Sequence, residues 1–194
     1  VFIDYRGKLG IEPDKKILLY VGKVEDRRKP LFCMDVYEKV KNGFENCCLI
    51  YVGKGPMLDQ VHNYASDKGL IDVYFIEQIP QNELASLYQE SSMFILSTRY
   101  EIFGMVLMEA MYFGVPVITY KAAGPIDVIS NDIDGIVMND FEADHWAEKI
   151  IYHLKKNNCP FMGEKARKKI IDNYVWSKIA NQNYKKYMDI IDNE

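Results

Sequence analysis

The sequence has no apolar run approaching the roughly 18 residues that a membrane span needs, no C-x-x-C spacing among its four cysteines, and no N-x-S/T sequon. It also lacks a secretory leader pattern and a surplus of basic charge: 24 lysines and arginines face 28 aspartates and glutamates, for a net charge of -4 and a pI near 5.5. The first absence excludes a transmembrane helix while leaving contact with a membrane surface open. With no such cysteine spacing, sequon or leader, Cys33, Cys47, Cys48 and Cys159 read as reduced thiols of a cytoplasmic protein. The charge balance argues against DNA or RNA as the main partner, because phosphate backbones demand a basic face. Any anion site must therefore be local.

What is present suits one substantial core: 48% hydrophobic, 13% aromatic and 27% charged residues over 194 positions. Five short runs, Ile17 to Gly22, Cys48 to Gly53, Asp72 to Ile76, Met93 to Ser97 and Val115 to Tyr120, are continuously apolar and rich in β-branched and aromatic residues. Such runs read as strands buried on both faces. Between them lie segments of helical period, Phe32 to Phe44, Met57 to Gly69 and Gln81 to Ser91, with Asn82 as expected N-cap of the last and Gly69 as the stop of the second. Beyond Gly135 the pattern becomes three helical stretches with no strong strand. The expected fold is α/β: a doubly wound, Rossmann-like parallel sheet with helices on both faces and added C-terminal helices.

In such a sheet, ligands bind outside the carboxyl ends of the strands. After the first run, VGKVEDRRKP gathers Lys23, Arg27, Arg28 and Lys29, which suit a phosphate or form a solvated basic loop. After the second, GKGPM places Gly53 and Gly55 where the chain turns tightly or a ligand comes close. After the fourth, Glu101 and Glu109 have seven residues between them, and a helix is expected from Phe103 or Gly104 to Phe113. Eight residues of helix rise about 12 Å, too far for two carboxylates to act on one bond as a glycosidase pair does. They can instead hold the two ends of a long ligand by its hydroxyls, with anions at the helix start between them. The alternative is structural: Glu101 as a capping residue and Glu109 paired with a lysine. His62, His145 and His153 have no spacing that suits a metal.

The stretch STRYEIFGMVLMEAMYFGVPVITYKAAGPIDVI resembles the motif region of the retaining, nucleotide-sugar-dependent glycosyltransferases of family 4, with its E-x7-E spacing followed by a G-x-P-V-I strand. LLYVGKVEDRRKP resembles the same family's first strand and phosphate loop, LIYVGKGPM its second strand and WSKIANQNYKKY its closing helix, so the likeness runs in order from about Lys8 to the end. It implies the two-domain GT-B fold, of which residues 1–194 would be the C-terminal, nucleotide-sugar-binding half, and a hexosyl or other glycosyl transfer in cell-surface polysaccharide or glycolipid synthesis. Carried over by position, Glu109 binds the ribose hydroxyls and Glu101 contacts the donor sugar. Lys23 and Lys29 bind the diphosphate, together with the amides of Phe103, Gly104, Met105 and Val106. No cofactor and no metal are expected, the partners being a nucleotide sugar and the enzyme's own N-terminal acceptor-binding domain. The expected place is the cytoplasm or the cytoplasmic face of a membrane, with peripheral association of the full-length enzyme, and the half-enzyme alone is expected to be inactive. The chain departs from the family at Lys23, where arginine is usual, at Glu77, where glycine is usual, and at Ala123 and Asp127. These departures keep a second reading in view, a catalytically silent sugar-nucleotide-binding or scaffolding domain.

Overall fold

The computed structural model describes residues 2–191. Six strands form one sheet: β1 (Lys16–Val21), β2 (Cys47–Val52), β3 (Val73–Ile76), β4 (Met93–Leu96), β5 (Val117–Tyr120) and β6 (Gly135–Met138), all parallel in the order β3-β2-β1-β4-β5-β6. Nine helices surround it among the described residues: α1 (Tyr5–Leu9), α2 (Pro30–Gly43), α3 (Leu58–Asp67), α4 (Gln81–Glu90), α5 (Met105–Tyr112), α6 (Ala123–Val128), α7 (Ala143–Lys155), α8 (Cys159–Asn173) and α9 (Trp176–Ile191).

Strand periodicity sorts the core into two layers. On β1, Leu18 and Tyr20 pack with Met34 and Tyr37 of α2 and Trp146 of α7, whereas Ile17, Leu19 and Val21 pack with Leu87 of α4, Leu107 and Met111 of α5 and Ala166 of α8. Both faces of the sheet are dry over β1, β2 and β4, which is why these strands read as unbroken apolar runs, whereas edge strand β3, expected to be buried on both faces, is half-buried throughout. Cys33, Cys47, Cys48 and Cys159 are free and buried within these layers. Burial pushes the Cys47 and Cys159 thiols up to about 11 and that of Cys48 to about 12.

The structure corrects the sequence reading in three places. A sixth strand follows residue 134: Gly135–Met138 pairs in parallel with Val117–Tyr120. Its residues open on a glycine and include no aromatic, unlike the five runs read as strands, so it does not stand out from the flanking loops. The cap of α4 is Pro80, with no side-chain hydrogen bond, so Asn82 lies inside the helix and does not cap it. Short helices α1 and α6 were not expected, and both contain glycine, with Pro125 also in α6. Gly69 does adopt the left-handed conformation just past α3, at φ 62°.

Two further features matter below. Asp72, in the turn before β3, sits at φ 58° and receives Lys41 at 2.6 Å and Lys15 at 3.0 Å. Helix α9 has no buried residue, and Trp176, Tyr184, Tyr187, Ile190 and Ile191 are all exposed. No helix among the described residues is long and apolar enough to cross a membrane.

Candidate functional site

The strand order reverses between β1 and β4: from β1 the chain moves outward to β2 and β3, then returns to β4 on the other side. Doubly wound sheets open a crevice at that switch point, outside the carboxyl ends of the two strands. The loops that meet there are Gly22–Lys29 after β1 and Ser97–Gly104 after β4.

The first loop is held from below by the β2 loop. Val24 N–H donates to Lys54 O at 3.0 Å, and Met57 N–H donates to Val24 O at 3.1 Å. A Cβ on Gly53 would lie 1.8 Å from Gly22 O, and one on Gly55 would lie 2.3 Å from Val24 O. The two glycines of GKGPM therefore serve the contact between loops. The β1 loop continues through a 3-10 turn over Asp26–Arg28 to Lys29 at φ 46°, where Pro30 opens α2.

The β4 loop is stitched across the switch point to this turn. Ser97 Oγ donates to Arg28 O at 2.8 Å, and Arg99 N–H donates to Arg27 O at 3.2 Å. Glu101 then turns inward. Its Oε1 accepts the Gly104 amide at 3.1 Å, its backbone oxygen accepts the Gly124 amide at 3.1 Å, and its Oε2 lies 3.0 Å from Arg28 Nη1. Gly104, at φ 70°, swings the chain into α5, and its carbonyl takes both the Leu107 and Met108 amides. Among the described hydrogen bonds none is donated by the amides of Phe103, Met105 or Val106, so these donors at the positive end of α5 are uncommitted.

Glu109, one turn into α5, is half-buried. It accepts from Tyr88 Oη at 3.2 Å and lies 3.5 Å from Gln81 Nε2, with no ion pair among the described residues. Burial, with the Glu109 carboxylate beside it, pushes the Tyr88 phenol far above its ordinary value. The lysine partner that a structural reading of Glu109 would need is absent here. The capping contact that such a reading gives Glu101 is present, at Gly104.

The basic residues are parked on partners of their own. Glu25 receives Lys23 at 2.9 Å and Arg27 at 3.0 Å, and these hydrogen bonds hold its carboxyl below the usual range. Lys29 Nζ stands 4.7 Å from the centre of the Phe141 ring, a cation–π contact. Thus Lys23, Lys29, Glu101, Glu109 and the amides of residues 103–106 belong to elements that share one edge of the sheet, but neither lysine touches a glutamate of the E-x7-E pair. The residue that does is Arg28, which sequence reasoning left undistinguished within RRK. Tyr88 and Gln81, the partners of Glu109, were also missed; at 21 and 28 residues' separation only the fold joins them.

This edge is an open surface. A small cavity of 140 Å³ adjoins it, lined by Lys29, Phe32 and Met57 among others. A cavity of 220 Å³ lined by Lys16, Ser91, Pro116 and Cys159 opens at the amino ends of β1, β4 and β5, the wrong end of the sheet for a switch-point ligand. Among the described residues no group of three or more His, Cys, Asp or Glu is placed to hold a metal ion.

The family described as "Glycosyl transferases group 1" matches over residues 1–174. An uncharacterized glycosyltransferase of Methanocaldococcus jannaschii is 25% identical over 187 residues, covering 95% of this chain and 48% of that protein. In fold, Anabaena HepE solved with UDP superposes with a TM-score of 0.84 at 17% identity, covering 95% of this chain and 51% of that one. The C-terminal domain of a group 1 family glycosyl transferase from Francisella tularensis superposes with a TM-score of 0.78 at 18% identity, covering 88% of this chain and 91% of that one. The chain thus spans about half the length of the curated relatives it matches.

Proposed function

The chain belongs to the group 1 glycosyl transferases, and on that premise we propose that it binds a nucleoside-diphosphate sugar at the β1–β4 switch point and serves as the donor-binding half of a retaining, family 4 enzyme of GT-B type. The observation that carries this reading is the start of α5, where amides without acceptors lie between two carboxylates, Glu101 before the helix and Glu109 within it. Glu109 has only neutral donors around it, so a ribose can replace Gln81 and Tyr88 at little electrostatic cost. Glu101 faces the donor sugar. Lys23 and Lys29, with the amides of Phe103, Met105 and Val106, take the diphosphate, whereas the Gly104 amide expected among them is committed to Glu101 Oε1.

In the reaction the bond between the anomeric carbon and the diphosphate oxygen breaks. A bond to the acceptor oxygen forms on the same face, the acceptor hydroxyl passes its proton to an oxygen of the departing diphosphate, and the nucleoside diphosphate leaves with the electron pair of the broken bond and the negative charge that develops with it. The lysines and helix amides stabilise that charge where it develops, a task for which this reading invokes no divalent cation. The acceptor, a growing polysaccharide or a glycolipid, lies on a second domain. Two observations support that half-enzyme reading: the relatives are about twice as long, and α9 leaves Trp176, Tyr184, Tyr187 and Ile190 uncovered.

The test is calorimetric titration of the chain with UDP, GDP and ADP in the absence of divalent metal. One diphosphate is expected to bind, and Glu109→Ala is expected to weaken it about 10- to 150-fold, the worth of a hydrogen bond to a charged group. No binding by any of the three overturns the reading that these residues form the donor site. Binding without transfer by the full-length enzyme would instead favour the silent, scaffolding alternative.

A further inference from the structure

We propose that Arg28 is a diphosphate ligand that the ligand-free chain holds on Glu101, and that donor binding transfers its guanidinium from that carboxylate to the phosphates, releasing Glu101 to the sugar. The inference rests on the donor-site reading above and adds to it a residue and an order of events.

The Arg28–Glu101 contact has the distance of an ion pair, 3.0 Å, with side chains only 14% and 11% exposed. It lacks the alignment of a hydrogen bond: Arg28 Nε, Arg28 Nη1 and Glu101 Oε2 are all buried without a hydrogen-bond partner. Arg28 Nη2 donates to no described acceptor either. A guanidinium carries five donors in a rigid fork, and one that is largely withdrawn from water with none of them engaged is poorly satisfied. It gains by meeting an acceptor with two oxygens in one plane, as a phosphate offers.

Its placement fits that acceptor. The backbone of Arg28 is pinned to the end of β4 by Ser97 Oγ at 2.8 Å, so the side chain swings from a fixed base at the switch point. Arg27 and Lys23 share a carboxylate elsewhere, on Glu25. The chain carries Lys23 where the family it resembles usually has arginine, and lysine supplies a point charge without the planar fork. Arg28 supplies the fork from five residues further along the same loop. Glu101 remains anchored through Oε1 on the Gly104 amide when Oε2 is released.

The experiment is calorimetry of the chain with whichever of UDP, GDP and ADP it binds, across a double-mutant cycle. Arg28→Ala is expected to weaken the nucleoside diphosphate at least about 10-fold and to leave the free nucleoside unchanged. Glu101→Gln removes the competitor for the guanidinium and is expected to tighten the free diphosphate. The double variant Arg28→Ala, Glu101→Gln is expected to bind as weakly as Arg28→Ala alone. Recovery of wild-type affinity in the double variant would overturn the proposal, because Arg28 would then act only by neutralising Glu101. Should Arg28→Ala fail to fold, Glu101→Gln decides alone, and unchanged or weaker diphosphate binding by it overturns the exchange. Loss of affinity in Glu109→Ala with none in Arg28→Ala would leave the donor site standing and remove Arg28 from it. No binding by the wild-type chain would remove both.

Discussion

Gly124 is the point at which the β5 loop clamps the β4 loop, and replacing it with alanine tests whether that clamp shapes the site. A Cβ at this position would stand 2.4 Å from Ile102 O, 2.7 Å from its carbonyl carbon and 2.8 Å from Phe103 N. All three are backbone atoms, so no side-chain rotation relieves the clash. Reaching ordinary contact at 3.4 Å requires the loops to part by about 1 Å, which stretches the Gly124 N–H to Glu101 O bond from its 3.1 Å. Overpacking of this kind costs about 1–3 kcal/mol and the weakened hydrogen bond about 0.5–1.5 kcal/mol. Alanine returns about 1 kcal/mol relative to glycine inside a helix. A net loss of about 2 kcal/mol corresponds to a fall in Tm of about 4–8 °C for a domain of this size. The displaced segment carries the amides of residues 103–106, so diphosphate affinity should also fall about 10- to 100-fold, the sensitivity expected of a positioned group moved by 1 Å. Thermal unfolding and calorimetry on the same sample read both effects. A Gly124→Ala chain with unchanged Tm and unchanged affinity would refute the argument that this contact sets the geometry of the α5 start.

Lys29→Ala should weaken the nucleoside diphosphate at least about 10-fold while sparing the nucleoside. Lys29 already lies at φ 46°, so alanine adds no new backbone strain, and equal loss for both ligands in calorimetry would refute the phosphate assignment. Asp72 gives a pH prediction. Burial acts to raise its carboxyl, but hydrogen bonds from Lys41 and Lys15 outweigh burial and hold it below its ordinary value. A folded-state pKa below the unfolded one stabilises the fold fully above the unfolded value of about 3.9. That contribution fades as pH falls through the interval down to the folded value. Asp72→Asn, tolerated at positive φ, should lower stability at pH 7 and flatten the decline below about pH 4. Denaturant titrations of both chains at pH 7 and across the acid range read this; equal slopes with acid would show that the lysines do not stabilise the ionised form.

The sheet was legible because both faces are dry at its centre and edge strand β3 is apolar though only half-buried, so five strands appear as continuous apolar runs with helices of ordinary length between them. β6 escaped because its four residues carry no distinctive run, and it is recognised only by its pairing with β5. α6 escaped because Gly124 and Pro125 argue against a helix locally, whereas the close approach to Ile102 explains why glycine stands there. At the site, strand ends marked the basic cluster of Lys23, Arg27, Arg28 and Lys29 and the E-x7-E spacing marked Glu101 and Glu109, on loops and a helix at one end of the sheet; the choice of Lys23 and Lys29 within the cluster rests on the family resemblance alone. The partners of those residues were not legible. Arg28 meets Glu101 from 73 positions away and Tyr88 meets Glu109 from another helix, contacts created by the strand order and not by spacing.

The four thiols buried in the two layers have a practical consequence. Reagents that alkylate cysteine attack the thiolate, and burial pushes every one of these sulfurs above its ordinary pKa. A maleimide dye at neutral pH should therefore react only slowly with these thiols on the folded chain, Cys159, which lines the 220 Å³ cavity, being the most accessible of the four. A single cysteine introduced at Phe103, 63% exposed at the rim of the site, could carry a fluorophore without removal of the native four, giving an optical readout of ligand arrival at the start of α5.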